Sequence, residues 1–153
     1  MATKLTGSAL TVTITESLNV ANSTAADSLD FAQTTTMSFA NIVNVDKRIV
    51  KLANTNVTTI ANFDTTESAG TYKLGDVKYI RVTNLDSAQN LQVGFEDSGS
   101  DAAYTSVAPG CSVVYTTTVV EGTVGGSTFD NVATLKVKAG HNNQNVELFV
   151  ASE

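Results

Sequence analysis

The chain contains no tryptophan, one proline and one cysteine among its 153 residues. Because Cys111 is the only cysteine, no disulfide can form within the chain, and cysteine use indicates no redox compartment. No apolar run approaches the roughly 20 residues that a helix needs to span a bilayer, and the first residues lack the apolar segment of a signal peptide. We therefore expect a protein that is made in a cytoplasm, is not exported by that route and binds no membrane.

Basic residues are also few. Nine Lys and Arg stand against fifteen Asp and Glu, which gives a formal net charge of −6. A nucleic-acid binder needs a basic stripe to displace counterions from phosphates, so we expect no nucleic-acid partner. Lys47, Arg48 and Lys51 form the one dense basic group, which Asp46 partly offsets. Such a group is either a solvated strand face or a small surface for an anionic partner. We retain these three residues as a candidate partner-binding site.

Threonine and valine are abundant, and their branched Cβ atoms pack well on a pleated sheet. Apolar residues alternate cleanly with threonines over residues 10–15, the period of a half-buried strand. The same criteria predict eight or nine short strands, at residues 10–15, 35–41, 45–52, 57–63, 77–83, 91–95, 111–118, 132–139 and 145–151. That number and spacing predict an all-β protein with a β-sandwich or jelly-roll-like fold.

The length fits one domain, which we place at residues 10–153. Residues 1–9 are small and polar, so we expect them to form an N-terminal arm. Residues 19–33 suit a long loop or a short helix, and their polar composition favours the loop. The alternation predicts a buried set that consists of Leu10, Val12, Ile14, Ile80, Val82, Leu91, Val93, Phe95, Val113, Leu135, Val137, Leu148 and Val150.

The stretch from Gly75 to Phe95 shows the strand pattern most clearly. Residues 91–95 alternate, whereas residues 77–83 carry apolar side chains on both faces, as a central or covered strand does. The connection between them is polar and forms turns readily, because Asn and Asp side chains bond their own backbone. We therefore predict that the two runs form a hairpin.

Few residues offer catalytic chemistry. His141 is the only histidine and lies in a Gly/Asn-rich turn, so we interpret it as a turn residue and not as a general base. Cys111 follows the turn-forming pair Pro109-Gly110, and we expect it to be a small buried hydrophobe. No phosphate-binding loop, zinc spacing or nucleophile elbow occurs. We expect no enzymatic activity and no cofactor.

One loop tip is acidic, with the sequence Asp97-Ser98-Gly99-Ser100-Asp101. Two carboxylates and backbone oxygens are ligands that Ca²⁺ accepts, but the spacing and the terminal Glu of an EF-hand loop are missing. Acidic tips also serve solubility alone. We expect no metal here and keep Ca²⁺ binding as the open alternative.

Several segments together resemble a family. They are DVKYIRVTNLD at 76–86, LQVGF at 91–95, VAPG at 107–110 and the closing LKVKAG…NVELFVASE. With LTGSALTVTITESLNV and VDKRIVKLAN nearer the N-terminus, these segments resemble small β-sandwich virion proteins of tailed bacteriophages. The likeness covers most of the chain, and its motifs are patterns of strand and turn.

The resemblance implies a capsid decoration (cement) protein on the exterior of the virion. Its partners would be the major capsid protein and further copies of itself, most simply as a homotrimer. The polar N-terminal residues would suit a segment that orders on binding, so Met1, Ala2, Thr3, Lys4 and Leu5 join the candidate partner-binding residues. The alternative is a tail or fibre protein, or a receptor- or carbohydrate-binding sandwich. Carbohydrate sites usually use exposed aromatics, and the chain has no Trp.

Overall fold

The computed structural model describes residues 3–20, 29–116, 122–124, 127–129 and 132–153. Within them every regular element is a strand, apart from one 3₁₀ turn at Leu74–Asp76. Two five-stranded sheets pack against each other, which confirms the predicted all-β sandwich.

Each sheet takes strands from distant parts of the chain. The first sheet has the order β1 (Thr3–Val20), β2 (Leu29–Leu52), β12 (Gln144–Ser152), β5 (Val77–Asn84) and β8 (Ser112–Tyr115). The second has the order β4 (Thr71–Lys73), β3 (Val57–Asp64), β11 (Val132–Ala139), β6 (Leu91–Asp97) and β7 (Ala102–Val107). Two short strands, β9 (Gly122–Val124) and β10 (Ser127–Phe129), pair only with each other.

The described residues thus contain twelve strands, more than the predicted eight or nine. Strands β4, β7, β9 and β10 were not predicted, whereas the predicted strands at 35–41 and 45–52 are both part of β2. Strands β4 and β7 lie at sheet edges. In β7 every residue except Val107 is exposed, so no alternation between buried and exposed positions marks it. Edge strands of this kind are held by backbone pairing more than by side-chain burial, and periodicity therefore misses them.

The predicted hairpin of residues 77–83 and 91–95 is wrong. Strand β5 lies in the first sheet between β12 and β8, whereas β6 lies in the second sheet between β11 and β7. The connection between them therefore crosses from one sheet to the other. Apolar alternation shows that a strand has one buried face, but it does not show which strand is its hydrogen-bonded neighbour. Two strands in facing sheets alternate in the same way as two strands paired in one sheet.

The core between the sheets contains most of the predicted buried set. The predicted residues that are buried are Ile80, Val82, Leu91, Val93, Phe95, Leu135, Val137, Leu148 and Val150. Val113 is half-buried and packs on the edge of this core. Leu10 and Val12 are half-buried against a second cluster, on the outer face of the first sheet. Ile14 is 41% exposed, so its predicted burial is wrong.

Strands β1 and β2 are longer than the sequence pattern indicated. Residues 3–9, expected to form an arm, belong to β1, where Thr3 pairs with Val45 and Lys4 with Asn44. The expected loop at 19–33 is wrong at both ends, because β1 runs to Val20 and β2 begins at Leu29. Its middle, residues 21–28, lies outside the described residues. Met1 and Ala2 lie outside the described residues. The ends of these strands are polar and are held by backbone pairing, so the alternation of apolar residues does not predict them.

Candidate interaction surface

Part of the β1–β2 hairpin lies outside the five-stranded sheet. Strand β12 pairs with β2 only from Asn44 to Leu52, so in the described residues the earlier part of β2 pairs with β1 alone. We call residues 10–20 and 29–39 the ribbon; its register runs through eleven pairs, from Leu10–Phe39 to Val20–Leu29. At about 3.3 Å per residue the ribbon is about 35 Å long. It is the longest two-stranded segment that the structure describes.

A backbone irregularity separates the ribbon from the sheet. Asn41 has a φ of +58°, in the left-handed region that Asn tolerates better than most residues. The β1–β2 register shifts on both sides of Ser8, opposite this position. Register shifts of this kind disrupt the ladder locally, so this position marks the boundary between the sheet part of the hairpin and the ribbon.

The two faces of the ribbon differ in polarity. Residues paired directly across two antiparallel strands share a face, so the pairs Leu10–Phe39, Val12–Met37 and Ile14–Thr35 line one face. Pairs of Thr and Ser line the other, and their hydroxyl-bearing side chains are exposed. The ribbon is thus amphipathic over the part whose side chains are described.

The base of the apolar ribbon face packs on the first sheet. The Phe39 ring lies 5.9 Å from the Tyr79 ring, and Tyr79 meets Phe149 edge-on at 5.8 Å. Ile42 and Ala151 complete the buried part of this cluster. Burial then decreases along the ribbon, because Leu10 and Val12 are half-buried and Ile14 is exposed. The apolar face therefore begins inside the protein and ends in solvent.

Beside this cluster, a group of interacting charged residues lies on the outer face of the first sheet. The Arg81 guanidinium lies 5.6 Å from the Phe149 ring centre and donates to Glu147 at 2.6 Å. Lys47 lies 3.3 Å from the other oxygen of Glu147. Burial raises the pKa of Glu147, but the bonds from Arg81 and Lys47 lower it by more, so that the pKa lies below its ordinary value. Glu147 therefore stays ionised between two cations.

The predicted basic group is divided between two faces. Lys47 and Lys51 are exposed on the outer face, on either side of Ile49, which is 65% exposed. Arg48 points the opposite way and donates to Asp46 at 2.9 Å and to the carbonyl of Ile60 at 2.5 Å. Strand alternation causes this division, since neighbours along a strand point to opposite faces. The structure brings together two of the three predicted residues.

Arg48 borders an open cleft of about 700 Å³ beside β4. Asp46 accepts hydrogen bonds there from both Arg48 and the Tyr72 hydroxyl. Burial and the bond to Asp46 raise the pKa of the Tyr72 phenol. Asp46 and Arg48 thus neutralise each other, and this side of the strand carries little net charge.

His141 joins two connections that cross between the sheets. Its Nε2 lies 2.6 Å from Asp86 Oδ2, and its Nδ1 lies 2.6 Å from the carbonyl of Asn142. Asp86 Oδ1 accepts the backbone N–H groups of Ala88 and Gln89, both at 2.8 Å. These two bonds, with the one from His141, hold the pKa of Asp86 at about 2. The geometry places His141 as a turn residue that ties loop 140–143 to loop 85–90.

The acidic tip is organised by Asp97, whose side chain is turned inward. Asp97 is buried, and its Oδ1 accepts the backbone N–H of Asp101 at 2.8 Å. Its carboxylate therefore closes its own loop. Within the described ranges, no group of three or more His, Cys, Asp or Glu side chains is placed to hold a metal ion.

Cys111 is exposed, so its predicted burial is wrong. The preceding residues form the predicted turn, which has type II geometry, with Gly110 at a φ of +70° and the Cys111 N–H donating to the carbonyl of Ala108. Strand β8 begins only at Ser112, so Cys111 belongs to the turn. Val113 and Tyr115, on the same alternation, pack against the core.

We compared the chain with family models, curated proteins and solved structures, and none of them matches it. In the described part of the chain, no helix is long and apolar enough to span a bilayer. The sequence predicted strands at 10–15 and 35–41, but not their pairing or their extension to Val20 and Leu29, which make the ribbon. A signal for the pairing exists, because Met37 and Phe39 alternate with polar residues as residues 10–15 do.

Proposed function

We propose that the chain is a structural protein of a bacteriophage particle, a decoration protein that binds the outer surface of the assembled head. Its partner there is the major capsid protein, and its role is to stabilise the shell without catalysis. The ribbon is the observation that carries this proposal. An extended two-stranded segment is marginally stable by itself, so it is typical of a subunit that packs against neighbouring proteins in an assembly.

The exposed lysines of the outer face support the contact with the shell. Lys47 and Lys51 flank Ile49 and provide a small basic and apolar area on a protein of net charge −6. Such an area orients an acidic protein on an acidic shell, with an attraction that salt screens over about 10 Å at 0.1 M. Many copies on one lattice bind firmly even when each contact is weak.

The experiment mixes purified protein with heads that lack it. We expect saturable binding, increased heat resistance of the heads and weaker binding at high salt. Replacing Lys47 and Lys51 by Glu should reduce occupancy, whereas Lys138→Glu, also an exposed strand lysine, should not. Failure to bind heads at any salt, together with co-purification with tails, would replace this proposal by the tail or fibre alternative.

A further inference from the structure

The strand edges of the ribbon are open. Strand β1 is the outermost strand of its sheet, and in the described residues β2 has no second neighbour before Asn44. Proteins usually protect such edges with Lys, Pro or other charges against pairing with further chains. Among the described ribbon side chains, residues 10–17 and 32–39, Glu16 is the only charged one, and there is no Pro. The ribbon is thus an unprotected pairing edge.

A partner that packs on the apolar face of the ribbon needs an apolar surface of its own. Its pairs change from half-buried at Leu10–Phe39 to an exposed Ile14 opposite an exposed Thr35. Interface centres are depleted of charge, and this face is uncharged up to Glu16. A strongly charged partner would leave its charges unpaired against it. The cover must therefore be apolar and nearly neutral, with a free strand edge.

We propose, on the basis of the structural role proposed above, that the ribbon is the self-association element, and that the ribbon of one copy packs on the ribbon of a second copy. A second copy has the required character, since its ribbon has the same length, the same open edges and the same face, on which Glu16 is the one charged side chain described. Alternate cross-strand pairs share a face, so each ribbon contributes about half of its eleven pairs to the contact. An interface of that size is weak and reversible.

The test compares two isoleucine-to-lysine variants of the full chain. Ile14→Lys places a charge on the ribbon, and Ile49→Lys places the same charge on the exposed outer face of the sandwich. Sedimentation over a range of concentrations measures self-association. We expect the wild type to form oligomers, Ile14→Lys to weaken self-association by at least about tenfold, and Ile49→Lys to self-associate as strongly as the wild type. Because Glu16 is the one charged side chain described on this face, and salt screens repulsion between the two copies of it, raising the salt concentration should not weaken self-association.

Hydrogen exchange supplies a second measurement that does not depend on a variant. Backbone amides of residues 10–17 and 32–39 should become protected as concentration rises, while protection in β5 and β12 stays constant. A monomeric wild type at every concentration, equal effects of the two variants, or unchanged ribbon exchange would overturn the proposal. So would an Ile14→Lys protein that self-associates normally but no longer binds heads, because the ribbon would then contact the shell.

The two proposals fail in distinguishable ways. A protein that binds heads as a monomer retains the proposed function and contradicts ribbon self-association. A protein that self-associates through the ribbon and binds no heads retains the ribbon interface and contradicts the decoration role.

Discussion

The carboxamide oxygen of Asn84 accepts a hydrogen bond from the Gln144 amide at 2.8 Å, and both residues are fully buried. Asn84 ends β5 and Gln144 begins β12, so the bond joins neighbouring strands where they meet their loops. Asn84 also donates to the carbonyls of Gln89 and Val107, and the Gln144 oxygen accepts the N–H of Gly140. One buried pair therefore fixes three connections between the sheets.

Replacing Asn84 by Ala should lower the free energy of unfolding by about 3 kcal/mol. The substitution removes the bonds of Asn84 to the Gln144 amide and to the carbonyls of Gln89 and Val107. Each buried polar group that is left unsatisfied costs about 1–3 kcal/mol. Urea unfolding measures the change. Asn90→Ala, at an exposed position of the same loop, is the control and should change stability by less than about 0.5 kcal/mol. Equal losses in the two variants would contradict this role of Asn84.

Two leucines test the position of the core. Leu148 is fully buried and Leu85 is 44% exposed. Leu148→Ala should cost about 2–5 kcal/mol, since it removes apolar contacts and leaves a cavity between the sheets. Leu85→Ala should cost much less. Thermal or urea unfolding of both variants measures the difference. A small loss of stability in Leu148→Ala would contradict the position of Leu148 in the core.

Side-chain alternation predicted the strands of the body and most of the core, because a half-buried strand has period 2 whatever its partners are. It did not predict partners, as the separation of β5 and β6 into different sheets shows. The neighbours of a strand depend on which surfaces meet across the core, and the alternation within one strand says little about that. The same limit applies to Ile14, whose alternation is clear but whose covering surface is absent from the described chain.

The candidate partner-binding site was predicted only in part. Proximity in sequence grouped Lys47, Arg48 and Lys51, yet a strand sends Arg48 to the opposite face from the two lysines. The ribbon was missed because its outer half is polar and Thr-rich, a composition equally suited to a loop. Register over eleven cross-strand pairs is a long-range property that local composition does not determine.

The His141–Asp86 pair should make stability depend on pH. The hydrogen bond to Asp86 raises the pKa of His141 above its ordinary value of 6.5. The folded state therefore binds this proton more tightly than the unfolded state does. The stabilisation is complete below pH 6.5 and is lost as the pH rises through the raised pKa. Asp86 acts in the opposite direction, because its stabilisation is lost as the pH falls from 3.8 towards 2.

Urea unfolding of the wild type and His141→Ala over this pH range measures the effect. The two stability curves should converge as the pH rises above the raised pKa of His141. Binding to heads should be the same in both proteins, since His141 belongs to a turn. Parallel curves, or loss of binding in a folded His141→Ala protein, would contradict this interpretation.

Gly94 should not tolerate a side chain. A Cβ at this position would overlap the carbonyl oxygen of Ala103 and the Tyr104 ring on the neighbouring strand. Gly94→Ala should therefore destabilise the β6–β7 edge by about 1–3 kcal/mol. Gly75→Ala is the matched control, because a Cβ there meets nothing within 4 Å. Differential scanning calorimetry should show a lower Tm for Gly94→Ala alone.

Electron cryomicroscopy of intact phage particles tests the proposed function most directly. The account predicts density for a two-sheet sandwich at regular positions on the outside of the head, with neighbouring copies in contact through their ribbons. Heads from a phage lacking the gene should have no density at those positions. Sandwich density confined to the tail or fibres, or heads identical with and without the gene, would contradict the decoration role.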